Sequence, residues 1–346
     1  MQTQDSLIRS KVLPIFALFR SKTVRQTFML YSTQLIAIPI GVITSSTTTR
    51  TLGPDNFGIF SFYSTIIGFS VLFFRFGFAS SGGLLIAREN HESKIQKLIG
   101  SMTVIFILIG AGYSLFIFGF SFFVDDIFKT NIGYILKWAA IPLVAAPFQF
   151  MIGSITQGSN KIWILSLYQI MPKALSLMGM LALLAFSRLN VVSLIMLGLG
   201  VSTLYDLFVI GRLKPSFDDL RSNVRKIWSK NKKYGLHLYS GQIVDQATYR
   251  LDGILVSYFV NTTQLGFYNL SKTLISPMSM LSSSLSISLF RRFAYQERIP
   301  KKIIYFNFLW LIVCFAGITL IGKYVVIFLF SERFLSVTHL FIPLGI

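Results

Sequence analysis

The segments FMLYSTQLI (28–36) and LHLYSGQIV (236–244) lie 208 residues apart and match at four places. Leu30, Tyr31, Ser32 and Gln34 stand against Leu238, Tyr239, Ser240 and Gln242. The same offset, without a gap, aligns FGIFSFYSTII (57–67) with LGFYNLSKTLI (265–275). There Gly58, Thr65 and Ile67 match Gly266, Thr273 and Ile275. It continues into the next loop, pairing Glu89 with Glu297 and Lys94 with Lys302, and after a gap AIPLVA (140–145) resembles FIPLGI (341–346). Identity is low, seven in the 41 residues from 27 to 67, but it clusters in the same order in both copies. The sequence is an internal duplication.

What is duplicated is a set of apolar runs. The chain has 346 residues, 53% hydrophobic and 13% charged, with a mean hydropathy of +0.65. A soluble domain is closer to a quarter charged. Ten apolar segments appear, at 27–49, 57–87, 98–124, 135–158, 162–187, 190–211, 234–260, 265–290, 303–329 and 335–346. Most exceed the ~20 residues that cross a bilayer, and none alternates as a barrel strand would. The fold class is an all-α polytopic membrane protein. Six spans separate the copies, so both enter the membrane from the same side. That predicts two parallel-repeat helix bundles around a central cavity. The first holds six helices (27–211). The second (234–346) is incomplete, with about four, and the chain reads as C-terminally short.

The formal charge of +19 does not indicate nucleic acid. The basic residues gather in alternate loops: 1–26, 88–97, 159–161, 212–233 and 291–302 hold 22 of the 32 Lys and Arg. This positive-inside pattern puts the N-terminal segment 1–26 in the cytoplasm. That segment and its apolar run read as a retained first helix rather than a cleaved signal peptide. The basic linker 212–233, with its Asp218–Asp219 pair, reads as solvated chain on anionic lipid. Gly53–Pro54 reads as a helix-stopping turn. The one cysteine, Cys314, permits no intrachain disulfide and sits in an apolar run as a packing residue.

RTLGPDNFGIFSFYSTI (50–66) resembles the loop and second helix of polysaccharide flippases of the O-antigen, or Wzx, type. YRLDGILVSYFVNTTQLGFYNLSKTL (249–274) resembles their seventh and eighth helices. They belong to the multidrug/oligosaccharidyl-lipid/polysaccharide exporter superfamily. The resemblance implies twelve helices, the bacterial inner membrane, and a polyprenyl-diphosphate-linked oligosaccharide moved by alternating access. It implies membrane lipids and the polymerase and chain-length proteins of a polysaccharide pathway as further partners. No organic cofactor or metal is expected; the coupling ion would be H⁺ or Na⁺.

Ionisable groups within spans are costly and normally face a cavity or a partner. On the seventh helix Gln242, Asp245, Tyr249 and Asp252 fall within an arc of about 80°. Arg250 lies about 140° from Asp245 and reads as structural. Arg75 stacks with Ser64, Gly68 and Gly82; Lys173 with Ser166, Gln169 and Ser176; Lys272 with Tyr268 and Ser279. Tyr31, Gln34, Gly41, Ser45 and Thr48 give the first helix a mild polar face. The candidate substrate-binding residues are therefore Arg75, Lys173, Lys272, Gln34, Gln242 and Tyr249. Asp245 and Asp252 are the candidates for ion coupling. The cations suit a diphosphate, Arg best because its fork is bidentate. A second reading pairs Asp252 with Lys272 across adjacent helices, and both readings stand at this point. Asp206 reads as interfacial.

Three other functions were weighed. A multidrug exporter would be expected to carry an acid in its first helix, and none lies between Thr27 and Thr49. A polymerase or glycosyltransferase would need a large loop or catalytic cluster, but the three histidines (His91, His237, His339) are scattered. The early stop leaves an inactive fragment as the third.

Overall fold

A computed structural model describes residues 22–276, 278 and 301–345, and among them every regular element is helical. The first and second apolar segments form one element, α1 (Lys22–Ser70), broken at Gly53. Gly53 has φ 73° and ψ 175°, a backbone that only glycine adopts cheaply, and Pro54 restarts the helix behind it. The expected turn is there, and α1 is two arms, 22–52 and 54–70.

The second span does not run unbroken to residue 87. A 3₁₀ turn (Val71–Phe74) ends it, Phe76 and Gly77 take φ of 44° and 75°, and α2 (Phe78–Ala87) follows. Positive φ at a phenylalanine is strained. The strain is held by Asn231, whose Nδ2 donates to the Phe76 carbonyl at 2.9 Å.

α3 (Glu92–Phe120) and α4 (Val124–Phe128) follow. The expected fourth span is also broken: α5 (Gly133–Ala140) and α6 (Phe148–Gly158) meet at 61° across a 3₁₀ turn, Pro142–Ala145. Pro142 and Pro147 cannot donate the backbone bonds that would continue the helix. α7 (Ile162–Ala185) and α8 (Val191–Arg212) are continuous. Asn190 starts α8 with a reciprocal capping box to Ser193.

The basic stretch after α8 is folded rather than plain solvated chain. Ser216 N donates to the Gln96 carbonyl at 3.0 Å, and Lys97 pairs with Asp219 at 2.7 Å. α9 (Leu220–Lys230) then packs through Ile227, which is fully buried. A π-turn (Asn231–Gly235) carries the chain without a break into α10 (Leu236–Phe259). α11 (Thr262–Ile275) opens with Asn261 accepting from Gln264 N at 2.8 Å. α12 (Lys301–Phe330) is the ninth span, and the tenth segment begins as a 3₁₀ stretch (Glu332–Leu340) before α13 (Phe341–Gly345). Five of the described helices are long and apolar enough to cross a membrane, or six if the bent α5–α6 pair counts as one span. α10 matches their length but carries Asp245, Arg250 and Asp252. The basic stretches 1–21 and 291–300, with Ser279 and Ser283, lie outside the described residues.

The duplication reappears as contacts. Gly58 and Gly266, partners under the 208-residue offset, meet each other: a Cβ on Gly266 would lie 3.1 Å from Gly58 Cα, and one on Gly58 would lie 2.6 Å from the Thr262 carbonyl oxygen. Thr263 Oγ1 donates to Asp55 Oδ1 at 2.9 Å, and these two positions are also 208 apart. Small residues let the helices close there without hydrophobic driving force from water. Around this point Phe57, Phe267, Val326, Phe330 and Phe334 form a shared core. Arg50 caps the end of α12, with Nε 3.0 Å from the Leu329 carbonyl and Nη2 on the Phe328 carbonyl. At the opposite, basic end the halves meet again, where Gly77 packs on Gly235 and Ser81 Oγ donates to Asn231 Oδ1 at 3.1 Å.

Candidate functional site

Between these two closures lies a cavity of about 700 Å³. Both arms of α1, α7, α8 and α11 form its walls, so it lies between the first bundle and the start of the second. Its wall is mostly apolar, from residues such as Ile40, Phe60, Ile67, Met180 and Leu197, with hydroxyl and amide groups of Ser45, Thr48, Ser61, Ser64, Asn269 and Thr273 set among them. Lys173 is the one charged side chain among the described lining residues. Tyr63 also lines it, and its buried hydroxyl has no hydrogen-bond partner among the described residues. Such an orphan is a group waiting for a ligand or water. The mild polar face expected on the first helix faces this space through Gly41, Ser45 and Thr48.

Lys173 reaches further than expected. It also lines a smaller pocket of about 220 Å³ with Gln34, Gln169 and Tyr168. The structure therefore brings Gln34 and Lys173 together. Pro172 precedes Lys173 within α7, and both lie in the cavity wall.

Arg75 sits at the break in the second span, half-buried, and does not line the cavity. Its guanidinium stacks over Phe150 of α6 at 4.1 Å, and its Nη1 donates to Gln246 Oε1 of α10 at 3.0 Å. One side chain thus bridges the two halves. Arg250, expected to be structural, lies against Gly68, a residue of the cavity wall; a Cβ on Gly68 would collide with its guanidinium. Gln246, to which Arg75 donates, lies one turn before Arg250 on the same face of α10. Among the described residues neither arginine has a carboxylate partner. Arg75 is half-buried and Arg250 exposed, and an anion placed between two such like charges would be attracted by both.

The seventh helix presents a different face from the one its acids mark. Tyr239, Gln246, Arg250 and Gly253 fall within an arc of about 60°, and all four meet the second span. Tyr239 OH donates to the Phe73 carbonyl at 2.6 Å, and Gly253 packs on Thr65. The Gln242–Asp252 stripe lies about a quarter turn away. Gln242 is half-buried, Asp245 is exposed without a partner among the described residues, and neither lines the cavity. The side chain of Tyr249 lies outside the described residues.

Asp252 and Lys272 resolve toward pairing. Lys272 Nζ is 2.7 Å from Asp252 Oδ2, which also accepts from Tyr268 OH, and the ammonium lies 5.1 Å over the Tyr268 ring. Neither residue lines the cavity. Gln246, Phe150, Arg250 and Tyr63 were not singled out from sequence as binding residues. The signal available for Gln246 and Arg250 was their shared helical face with Tyr239 and Gly253.

A family model described as polysaccharide biosynthesis protein matches residues 23–294. The match covers most of the chain, which belongs to this family, that of the Wzx-type polysaccharide flippases and related exporters. Neither a curated protein nor a solved structure matches it.

Proposed function

From membership of the polysaccharide biosynthesis family, we propose that this polysaccharide-related multi-pass transporter flips a polyprenyl-diphosphate-linked oligosaccharide, such as an O-antigen unit, across the bacterial inner membrane. Its N-terminus lies in the cytoplasm, and the polymerase and chain-length proteins of the pathway use its product. The chain acts as a transporter, not an enzyme.

The observation that carries this reading is the placing of two arginines without acid partners among the described residues beside a largely apolar cavity that carries scattered hydroxyl and amide groups. Diphosphate is strongly anionic and prefers charge-assisted, bidentate donors. Arg75 and Arg250 supply them at the boundary between the halves. The sugars need neutral hydrogen-bonding partners to replace water, and Tyr63, Ser61, Ser64 and Asn269 offer them. Lys173 extends the cationic path along the far wall. The prenyl chain stays in lipid beside the bundle, where no polar wall is required.

Binding at Arg75 also suits alternating access. Its present contacts hold Phe150 of one half and Gln246 of the other. A diphosphate drawing the guanidinium off Gln246 loosens one bridge between the halves. A ligand shifts such an equilibrium only through contacts that differ between states, and in this proposal the Arg75–Gln246 contact is one of them.

The test is complementation. In a strain lacking its polysaccharide flippase, the full chain is expected to restore surface polysaccharide. Arg75→Ala is expected to abolish restoration while the protein reaches the membrane at normal level. Full restoration by Arg75→Ala would overturn the assignment.

A further inference from the structure

The acids expected to couple transport to an ion do not occupy suitable places. Asp252 is paired with Lys272, and Asp245 is exposed away from the cavity. A third acid, Asp206, behaves differently. It lies within α8 and is only 5% exposed. Tyr168 of α7 donates to its Oδ1 at 2.7 Å, and the Tyr168 ring stacks on Tyr205 at 6.1 Å. α8 packs against α7, α1, α5, α6 and the turn at Pro142–Ala145. Among the described residues Tyr168 is the side chain hydrogen-bonded to Asp206, and no Lys, Arg or His forms an ion pair with it. The surrounding wall is apolar, built from residues such as Val209 and Ile210.

A buried acid without a cation is expensive to keep charged. A bare helix-packing role would be served as well by an amide or hydroxyl. One carboxylate and one phenol, three oxygens at most, fall far short of the roughly six that a hard metal cation requires, and no cluster of three His, Cys, Asp or Glu residues exists among the described residues. The ligand this site fits is a proton.

The site has an entrance. Tyr168 forms part of the small pocket that holds Gln34, Gln169 and Lys173. Lys173 is shared between that pocket and the main cavity. Tyr168, which borders this pocket, is thus the residue that connects Asp206 to the polar groups near the cavity. We propose that Asp206 is a proton-binding site, filled and emptied through Tyr168, and that its occupancy biases the packing of α7 on α8 and hence the shape of the cavity.

The bias on transport rests on the flippase reading; proton binding does not. Both are tested without a saccharide. Infrared difference spectra of the full chain in lipid vesicles, taken between acid and alkaline buffer, should show a protonated-carboxyl band that titrates. The band should vanish in Asp206→Asn and move in Tyr168→Phe, whose ring cannot donate to the carboxylate. In a Cys314→Ser background, labelling of Ser64→Cys by an impermeant maleimide should change with pH, and Asp206→Asn should remove that change. A band unaltered by Asp206→Asn would overturn the proton site. A pH response that survives Asp206→Asn would overturn the coupling to the cavity. Should Asp206→Asn fail to reach the membrane, Tyr168→Phe decides, and an unmoved band overturns the proposal. Complementation failing while the band behaves as expected would count against the flippase reading alone.

Discussion

Two sets of charges within the spans lie on the same helix, α10, and have opposite fates. Asp252 is satisfied by Lys272 at 2.7 Å and by Tyr268. Arg250, two residues earlier, turns to the other face and joins Arg75 near the cavity with no acid among the described residues. The first set is closed, because its charges cancel and its donors are used. The second is open, because its charges add. Burial and charge type do not separate them; compensation does. In a membrane protein the informative question about an ionisable residue is what remains unpaired.

The contrast is broken most severely by removing both arginines. Arg75→Ala with Arg250→Ala should weaken binding of a prenyl diphosphate by at least about a hundredfold, since each charge-assisted contact contributes ~1.5–3 kcal/mol and each ~1.4 kcal/mol is tenfold. Isothermal titration in detergent measures this. Arg75→Ala alone should cost about tenfold to a hundredfold by the same measure. Thermal stability should change little in the double variant, because two like charges are relieved together.

The closed site should respond in the reverse sense. Asp252→Ala leaves Lys272 unpaired and should destabilise by about 1–2 kcal/mol, between the exposed and buried limits for ion pairs. Restoring neutrality with Lys272→Ala in the same chain should recover most of that loss, as a double-mutant cycle of melting temperatures would show. Binding should be unaffected in both. The smallest effect is expected at Gly68→Ala, which displaces the Arg250 guanidinium from the cavity wall. It should lower prenyl diphosphate affinity by only a fewfold, and more in the parent than in an Arg250→Ala background.

Much of the fold was legible because duplication leaves a frame. The 208-residue offset predicts parallel halves, and two of the pairs it aligns, Gly58 with Gly266 and Asp55 with Thr263, are in contact. The Gly53–Pro54 turn was equally plain. The breaks at 75–77 and 142–147 were not, because apolar composition continues through them. Pro142 and Pro147 were the available signal for the second.

The site was harder. A helical wheel tells which residues share a face but not which face turns inward. The acids of α10 drew attention to one stripe, while the interface is formed by the stripe of Tyr239, Gln246, Arg250 and Gly253. Lys173 and Gln34 were placed correctly on polar faces, and their meeting in one pocket follows from the packing of α7 on α1. Asp206 looked interfacial by its distance along α8. Its burial comes from α7, 38 residues away in sequence, through Tyr168.

In the proposed mechanism Arg75 and Arg250 anchor the anion and the Asp252–Lys272 pair does not. Binding of farnesyl diphosphate to the purified full chain tests it most directly. The Arg75→Ala, Arg250→Ala protein should lose binding, and the Asp252→Ala, Lys272→Ala protein should keep the parent affinity. Equal affinity in the parent and the arginine variant, or loss confined to the Asp252–Lys272 variant, would contradict it.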